Sequence, residues 1–287
     1  MLWFLLSLLS AASESAKDVL SKKSLKKIDE YSASWSLRFF SLIFLVPLLV
    51  IVKIPTIGSG FWAALLVSGL LNLVTTVLYM KALKSSDLSV TSPMLAFTPL
   101  FLLMTSPLIV GEFPAFLGLI GVLLIVSGSY ILNAGERHKG LFAPFKALLK
   151  EKGPRLMLAV AFIWSITSNF DKIGVQNSSP IFWTVSVNAL IALLLTPLLL
   201  YKSKKATTTI QKNLKVLVPI GLFGALIHIF QMTAISMALV TYVSSIKRTS
   251  ILFSVLSGWV VLKEKGIRER LAGAAVMIAG VVLIAVS

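Results

Sequence analysis

The chain of 287 residues contains no cysteine and only two histidines, His138 and His228. Disulfides and thiolate metal sites are thereby excluded, and the histidines are too few and too far apart in sequence for a zinc centre. Acidic residues are scarce, 11 against 27 Lys and Arg, and charged residues make up 13% of the chain, against about 25% in soluble domains. HExxH, GxSxG and Walker A patterns are absent. Gly58-Ser59-Gly60 followed by Ala63 imitates a dinucleotide fingerprint, but no strand pattern precedes it. No nucleophile–base pair, cofactor motif or metal set is visible, and nothing points to an enzyme.

What is abundant is apolar surface: 57% hydrophobic residues and a mean hydropathy of +0.92. That describes an all-α polytopic membrane protein with lipid as its main solvent. Ten segments are each long enough to cross a bilayer as helices, at about 2–21, 31–52, 61–83, 88–110, 115–132, 156–177, 180–201, 216–238, 242–262 and 269–286. A signal peptide is the alternative for the first, since Ser10–Ala16 is rich in small residues; the repeat described below favours a retained helix. Residues 133–155 form a linker, and LFAPFKALLKEK within it (141–152) reads either as a short interfacial helix or as a solvated connection.

The loops joining segments 1–2, 3–4, 5–6, 7–8 and 9–10 hold 21 of the 27 basic residues, and the opposite loops hold Lys53 alone. The positive-inside rule then makes the basic loops cytoplasmic and puts both termini on the non-cytoplasmic side, in a plasma (inner) membrane. The +16 net charge is accounted for by these loops, without nucleic acid.

The halves are copies. Ser92–Glu112 aligns without a gap to Ser244–Glu264, 152 residues on, and the same offset maps Gly121 to Gly273 and Gly128 to Gly280. LVPLLV around Pro47 matches LTPLLL around Pro197 at an offset of 150, and SAKDVL matches NFDKIG, setting Lys17-Asp18 against Asp171-Lys172. The expected organisation is a first five-helix repeat (1–132), a cytoplasmic linker (133–155) and a second repeat (156–287). An odd helix count forces the second copy to insert inverted, with a substrate site near the midplane and alternating access.

Segments nine and ten, SIKRTSILFSVLSGWVVLKEKGIRERLAGAAVMIAGVVLI, resemble the EamA-type domain of the drug/metabolite transporter superfamily, and ALKSSDLSVTSPMLAFTPL…GEFPAFLGLIGVLLIVSG repeats the pattern in the first half. The resemblance covers essentially the whole chain. It implies a ten-helix carrier of small metabolites that hydrolyses no nucleotide. Lys247-Arg248 also resembles the Lys-Arg pair with which sugar-phosphate/phosphate translocators grip an anionic head.

The residues point the same way. The stretch Leu239–Leu262, which holds the ninth segment, is long enough to cross as one helix, and its only charges are Lys247 and Arg248, each costing roughly 2.5–3.5 kcal/mol near a span centre. Such a pair lines a wet cavity, meets an anion, snorkels, or neutralises Glu14, Asp18 or Asp171. Asn72, Thr76 and Tyr79 share a face of segment 3; Gly224, His228 and Gln231 share the matching face of segment 8, 152 residues on. These are two opposed polar walls or, alternatively, interhelical hydrogen bonding. Segment 6 presents Trp164 or Ser165, then Ser168 or Asn169, then Lys172. Arg38 and its mate Asn188 lie inside segments 2 and 7, Arg38 facing inward or snorkelling to headgroups. Pro93, Pro99 and Pro107 kink the fourth segment; Ser245, Ile251 and Trp259 stand at their places in the ninth, so the halves should bend differently.

The expectation is a secondary carrier, exchanger or exporter, of a small anionic or zwitterionic organic metabolite. Lys247, Arg248, His228, Gln231, Asn72, Thr76, Tyr79 and Asn169 are the candidate substrate-binding residues; Glu14, Lys17, Asp18, Asp171 and Lys172 are the gating or coupling residues. One alternative is a proton-coupled exporter of cationic or neutral compounds, with Glu14, Asp18 or Asp171 titrating. An intramembrane scaffold is the other. The partners expected are the substrate, membrane lipids and a second copy in a homodimer, with no cofactor.

Overall fold

The computed structural model describes residues 1–52, 54–86, 91–133, 150–253 and 267–287. The interfacial-helix reading of 141–152 falls almost wholly outside them, as do Lys53, the end of the ninth segment and Glu264. In chain order the helices are α1 (Leu2–Ser24), α2 (Glu30–Leu45), α3 (Leu48–Ile51), α4 (Phe61–Ser85), a 3-10 helix (Ser92–Phe97) leading into α5 (Thr98–Ile109), α6 (Phe116–Asn133), α7 (Lys152–Gln176), α8 (Pro180–Lys202), α9 (Ala206–Lys212), α10 (Leu214–Met237), α11 (Val240–Lys247) and α12 (Ile267–Val286). No strand occurs among the described residues.

The spans Glu30–Ile51, Phe61–Ser85, Lys152–Gln176, Pro180–Lys202 and Leu214–Met237 are long and apolar enough to cross a bilayer. Helix α1 shows how lipid organises the rest. Its Leu2, Leu5, Leu9 and Val19 face outward, while Ser7, Ser10, Glu14, Lys17 and Asp18 are buried. A soluble helix would present the opposite faces. Local chemistry sets the ends. Asp29 caps α2, accepting from the backbone N–H groups of Tyr31 (3.0 Å) and Ser32 (2.9 Å). Ser179 caps α8 from the matching place, 150 residues on, and Pro180 follows at the first helical position.

The halves interleave. Helix α4 packs on α7 as α10 packs on α1, and α6 packs on α12. Glycines permit the close approaches. A Cβ on Gly121 would stand 2.7 Å from the carbonyl oxygen of Gly280, and one on Gly280 would stand 2.6 Å from that of Gly121. Gly69 receives Leu190, and Gly221, 152 residues on, receives Phe40, 150 residues before Leu190. The paired contacts express the internal repeat in three dimensions.

The ninth segment is not one helix at its centre. Helix α11 ends at Lys247, and Arg248 N–H and Thr249 N–H bond back three residues, to Ser245 (3.0 Å) and Ile246 (2.9 Å). The matching stretch of the first half, Ser92–Phe97, is the 3-10 helix. Both repeats therefore leave α geometry within this stretch, the first along all of it and the second at Arg248-Thr249 only. Proline accompanies this in the first half but not in the second, and the two stretches differ in form. Pro197 lies inside an unbroken α8, whereas the chain turns at Val46-Pro47 between α2 and α3.

Candidate functional site

Between the repeats lies a cavity of about 80 Å³, walled by α1, α2, α4, the start of α5, α7, α8, α10 and α11. The sequence-predicted walls meet there: Asn72, Thr76 and Tyr79 from α4, and Gly224, His228 and Gln231 from α10. Glu14, Lys17, Asp171, Lys247 and Arg248 complete the polar lining together with Arg38 and Asn188. Four cations (Lys17, Arg38, Lys247, Arg248) thus face two carboxylates (Glu14, Asp171).

One end is built around α11. Lys247 Nζ donates to Gln231 Oε1 at 2.6 Å and lies 3.6 Å from Glu14 Oε2. Arg248 Nη2 lies 3.8 Å from the same oxygen. Arg248 is 2% exposed, yet its Nε and Nη1 have no hydrogen-bond partner, nor does Glu14 Oε2. The break in the segment helps hold this charge, because α11 ends here and its last carbonyls give the negative end of the helix dipole to both cations. Trp164 lies beneath them, its ring centroid 5.7 Å from Lys247 Nζ and 6.0 Å from Arg248 Cζ. Trp164 also stacks on Tyr79 at 5.4 Å. Tyr79 hydroxyl donates to Asp18, and Lys17 Nζ pairs with Asp18 at 2.9 Å and bonds Tyr79 Oη at 3.2 Å. The repeat mates Tyr79 and Gln231 each hold a lysine.

The other end is built around Arg38, which does not snorkel; it is 5% exposed. Its Nε and Nη2 donate to Thr76 Oγ1 (3.2 and 2.7 Å), and its Nη1 contacts Asn188 Oδ1 (3.1 Å) and His228 Nε2 (2.8 Å). A guanidinium has only protons to give, so His228 Nε2 accepts and its ring proton sits on Nδ1. The repeat mates Arg38 and Asn188 thus meet directly. Asp171 Oδ1 accepts from Ser68 Oγ (2.6 Å) and Trp183 Nε1 (3.1 Å).

Three predicted residues lie off the cavity. Asn169 turns into α5, donating to Thr105 Oγ1 at 3.1 Å and accepting from Ser106 Oγ at 2.7 Å, while its neighbour Ser168 lines the cavity. Asp18 stands behind Lys17. Lys172 pairs with Glu112 and donates to Ala238 O at 3.0 Å, and Glu112 Oε2 accepts the N–H of Val240 at 3.0 Å, the first residue of α11. The first-half counterpart of Lys172 is Lys22, 150 residues earlier, which donates to Leu83 O and Ser86 O at 2.7 Å each. Ala238 and Ser86 cap equivalent helix ends, so the contacts pair Lys172 with Lys22 rather than with the Lys17-Asp18 stretch. Glu112, Trp183 and Thr167 were not among the sequence candidates. Glu112 ends the stretch that repeats as Ser244–Glu264, but its partners lie 60 and 128 positions away.

No metal-holding group of three or more His, Asp or Glu occurs among the described residues. No curated protein matches the chain. A solved structure titled only "Crystal structure of protein" superposes with a TM-score of 0.70 at 15% identity, over 99% of this chain and 95% of that one, and that likeness is one of fold. The sequence profile of the EamA-like transporter family matches residues 1–134 and again 152–286. With that profile on both halves and lipid-facing apolar helices around a charged interior, this integral membrane protein belongs to the EamA-like transporter family.

Proposed function

We propose that the protein is a secondary carrier that exchanges or exports a small anionic or zwitterionic organic metabolite. The observation that carries this reading is Arg248: a buried guanidinium, facing the cavity, with two nitrogens that bond nothing. A buried donor left unmade is costly, and an incoming carboxylate or phosphate supplies the missing acceptors in the planar arrangement that Arg matches. The excess of cations over carboxylates in the lining supports the same sign. Asp171 on the opposite wall would receive the ammonium of a zwitterion.

The carrier would span the membrane ten times as two inverted five-helix repeats, with both termini outside the plasma (inner) membrane, and work by alternating access as a monomer or homodimer. Lys172 with Glu112 would close one side of the cavity. At about 80 Å³ the cavity admits a few waters, so a metabolite enters only when the halves part.

The test is a thermal-shift screen of purified protein against metabolites sorted by charge. A true ligand at 100 times its Kd adds roughly 2.7 kcal/mol of stability. Stabilisation by anions or zwitterions supports the reading. Stabilisation confined to cations supports the proton-coupled exporter instead.

A further inference from the structure

At the basic end of the bundle, a cleft of about 390 Å³ lies between the C-terminal end of α4 and the N-terminal end of α7, and a second of about 530 Å³ adjoins it along the start of α7. They share Lys152 and Leu156. Lys150, Lys152 and Arg155 rim one and Lys81 and Lys84 the other. Two carboxylates stand nearby. Glu30 is bound to Lys84 at 2.8 Å, and the side chain of Glu151, the N-cap of α7, bonds none of that helix's N–H groups. Lys150, Lys152 and Arg155 make no ion pair or side-chain hydrogen bond among the described residues, and all three are exposed.

This arrangement works against the helix it sits on. Cations crowd the positive end of the α7 dipole, and the N–H groups of the first turn have no side-chain cap. An anion at this point relieves both. Below the rim the floor turns apolar, with Leu78 of α4 and Leu156 of α7 half-buried along the groove. Charge at the membrane surface above apolar groove is the chemistry of an amphiphile with an anionic head.

We propose that this groove binds an anionic glycerophospholipid. The headgroup phosphate sits against Lys152 and Arg155, and an acyl chain runs along Leu78 and Leu156. Helix α4 belongs to the first repeat and α7 to the second, so the bound lipid ties the repeats together at the membrane surface. The site depends on the membrane embedding of the chain and is independent of what the central cavity carries.

The test uses the full chain in detergent, with native mass spectrometry and titrated phosphatidylglycerol or phosphatidylcholine. Phosphatidylglycerol is expected to stay bound at collision energies that strip phosphatidylcholine. Each surface cation near an anionic headgroup contributes about fivefold in affinity, so Lys152→Gln/Arg155→Gln should bind phosphatidylglycerol about 25-fold more weakly. Both positions are exposed, and the melting temperature in lipid-free detergent should hold. Lys212→Gln/Lys215→Gln, which removes two exposed charges on α9 and α10 instead, should bind as the unaltered protein does. Equal retention of the two lipids, or equal loss in both double variants, overturns the site. So does full competition by inorganic phosphate, which would make this a site for a soluble anion.

Discussion

Glu14 Oε2 lies 3.8 Å from Arg248 Nη2, within ion-pair range but beyond a hydrogen bond. Glu14 therefore balances the charge of the α11 end without satisfying its donors. The Glu14→Gln variant removes that balance. Breaking a buried pair typically costs about 3–5 kcal/mol, so the ligand-free variant should melt earlier. An anionic ligand should then restore more stability than it adds to the unaltered protein. Differential scanning fluorimetry with and without ligand measures both, and an equal ligand shift in the two proteins would speak against a shared anion position.

The Glu112–Lys172 pair joins the first repeat to α7 and the start of α11. If it closes one side of the cavity, Glu112→Gln should open that side. The pair is largely buried, and even at the roughly 1 kcal/mol of a surface pair its loss shifts the open fraction at least about fivefold. The chain has no cysteine, so Ser168→Cys in the cavity wall provides a single label site. Labelling by an impermeant thiol reagent should quicken by that factor from the side of the α10–α11 connection. An unchanged rate would leave the pair as a packing contact.

Asp29 is half-buried. Burial raises its carboxyl, but hydrogen bonds from the backbone and side chain of Ser32, from Ser203 Oγ at 2.8 Å and from Tyr31 N–H outweigh that and hold it below the ordinary carboxylate range. A depressed folded-state value means that the contribution is fully present above the unfolded value, near 3.9, and is lost as pH falls below it. Asp29→Ala should cost about 1 kcal/mol at pH 7. The difference should shrink as the pH falls below about 4, as read from melting curves across pH.

Gly128 receives the backbone of α12, where an added Cβ would meet Met277 N at 2.6 Å. Backbone cannot step aside as a flexible side chain does. Gly128→Val should therefore cost about 1–3 kcal/mol through overpacking. Thermal unfolding checks this, and Gly111→Ala serves as a comparison of another kind: nothing lies within 4 Å there, but φ is +72°, so any loss comes from backbone strain.

The five spans Glu30–Ile51, Phe61–Ser85, Lys152–Gln176, Pro180–Lys202 and Leu214–Met237 were legible because each repeats one physical demand, about 20 apolar residues to cross lipid. The cavity was largely legible too, since polar faces inside apolar helices have to turn inward: α4 and α10 show this, and Arg38 with Asn188. What escaped was set by partners distant in sequence. Asn169 and Ser168 differ by one step of about 100° around α7, and spacing alone did not decide which faces the cavity. The turn at Arg248 has no proline or glycine to announce it. Lys172 looked like half of an Asp-Lys pair until Glu112 arrived from the other repeat. Nothing in the sequence singles out Trp183, which becomes a donor to Asp171 only once α7 and α8 are packed.

The central claim is that Arg248 receives the anionic group of the substrate. It is tested most directly by the Kd of the stabilising anion for the unaltered protein, for Arg248→Ala and Arg248→Lys, and for Arg248→Ala in the Glu14→Gln background. Truncating one partner of a buried charged contact costs 2–5 kcal/mol, roughly 30- to several-thousand-fold in affinity. Arg248→Ala should lose binding by that factor, Arg248→Lys should recover little because the planar fork is gone, and Glu14→Gln should restore folding stability to the alanine variant without restoring binding. Unaltered anion affinity in a folded Arg248→Ala protein would contradict the account.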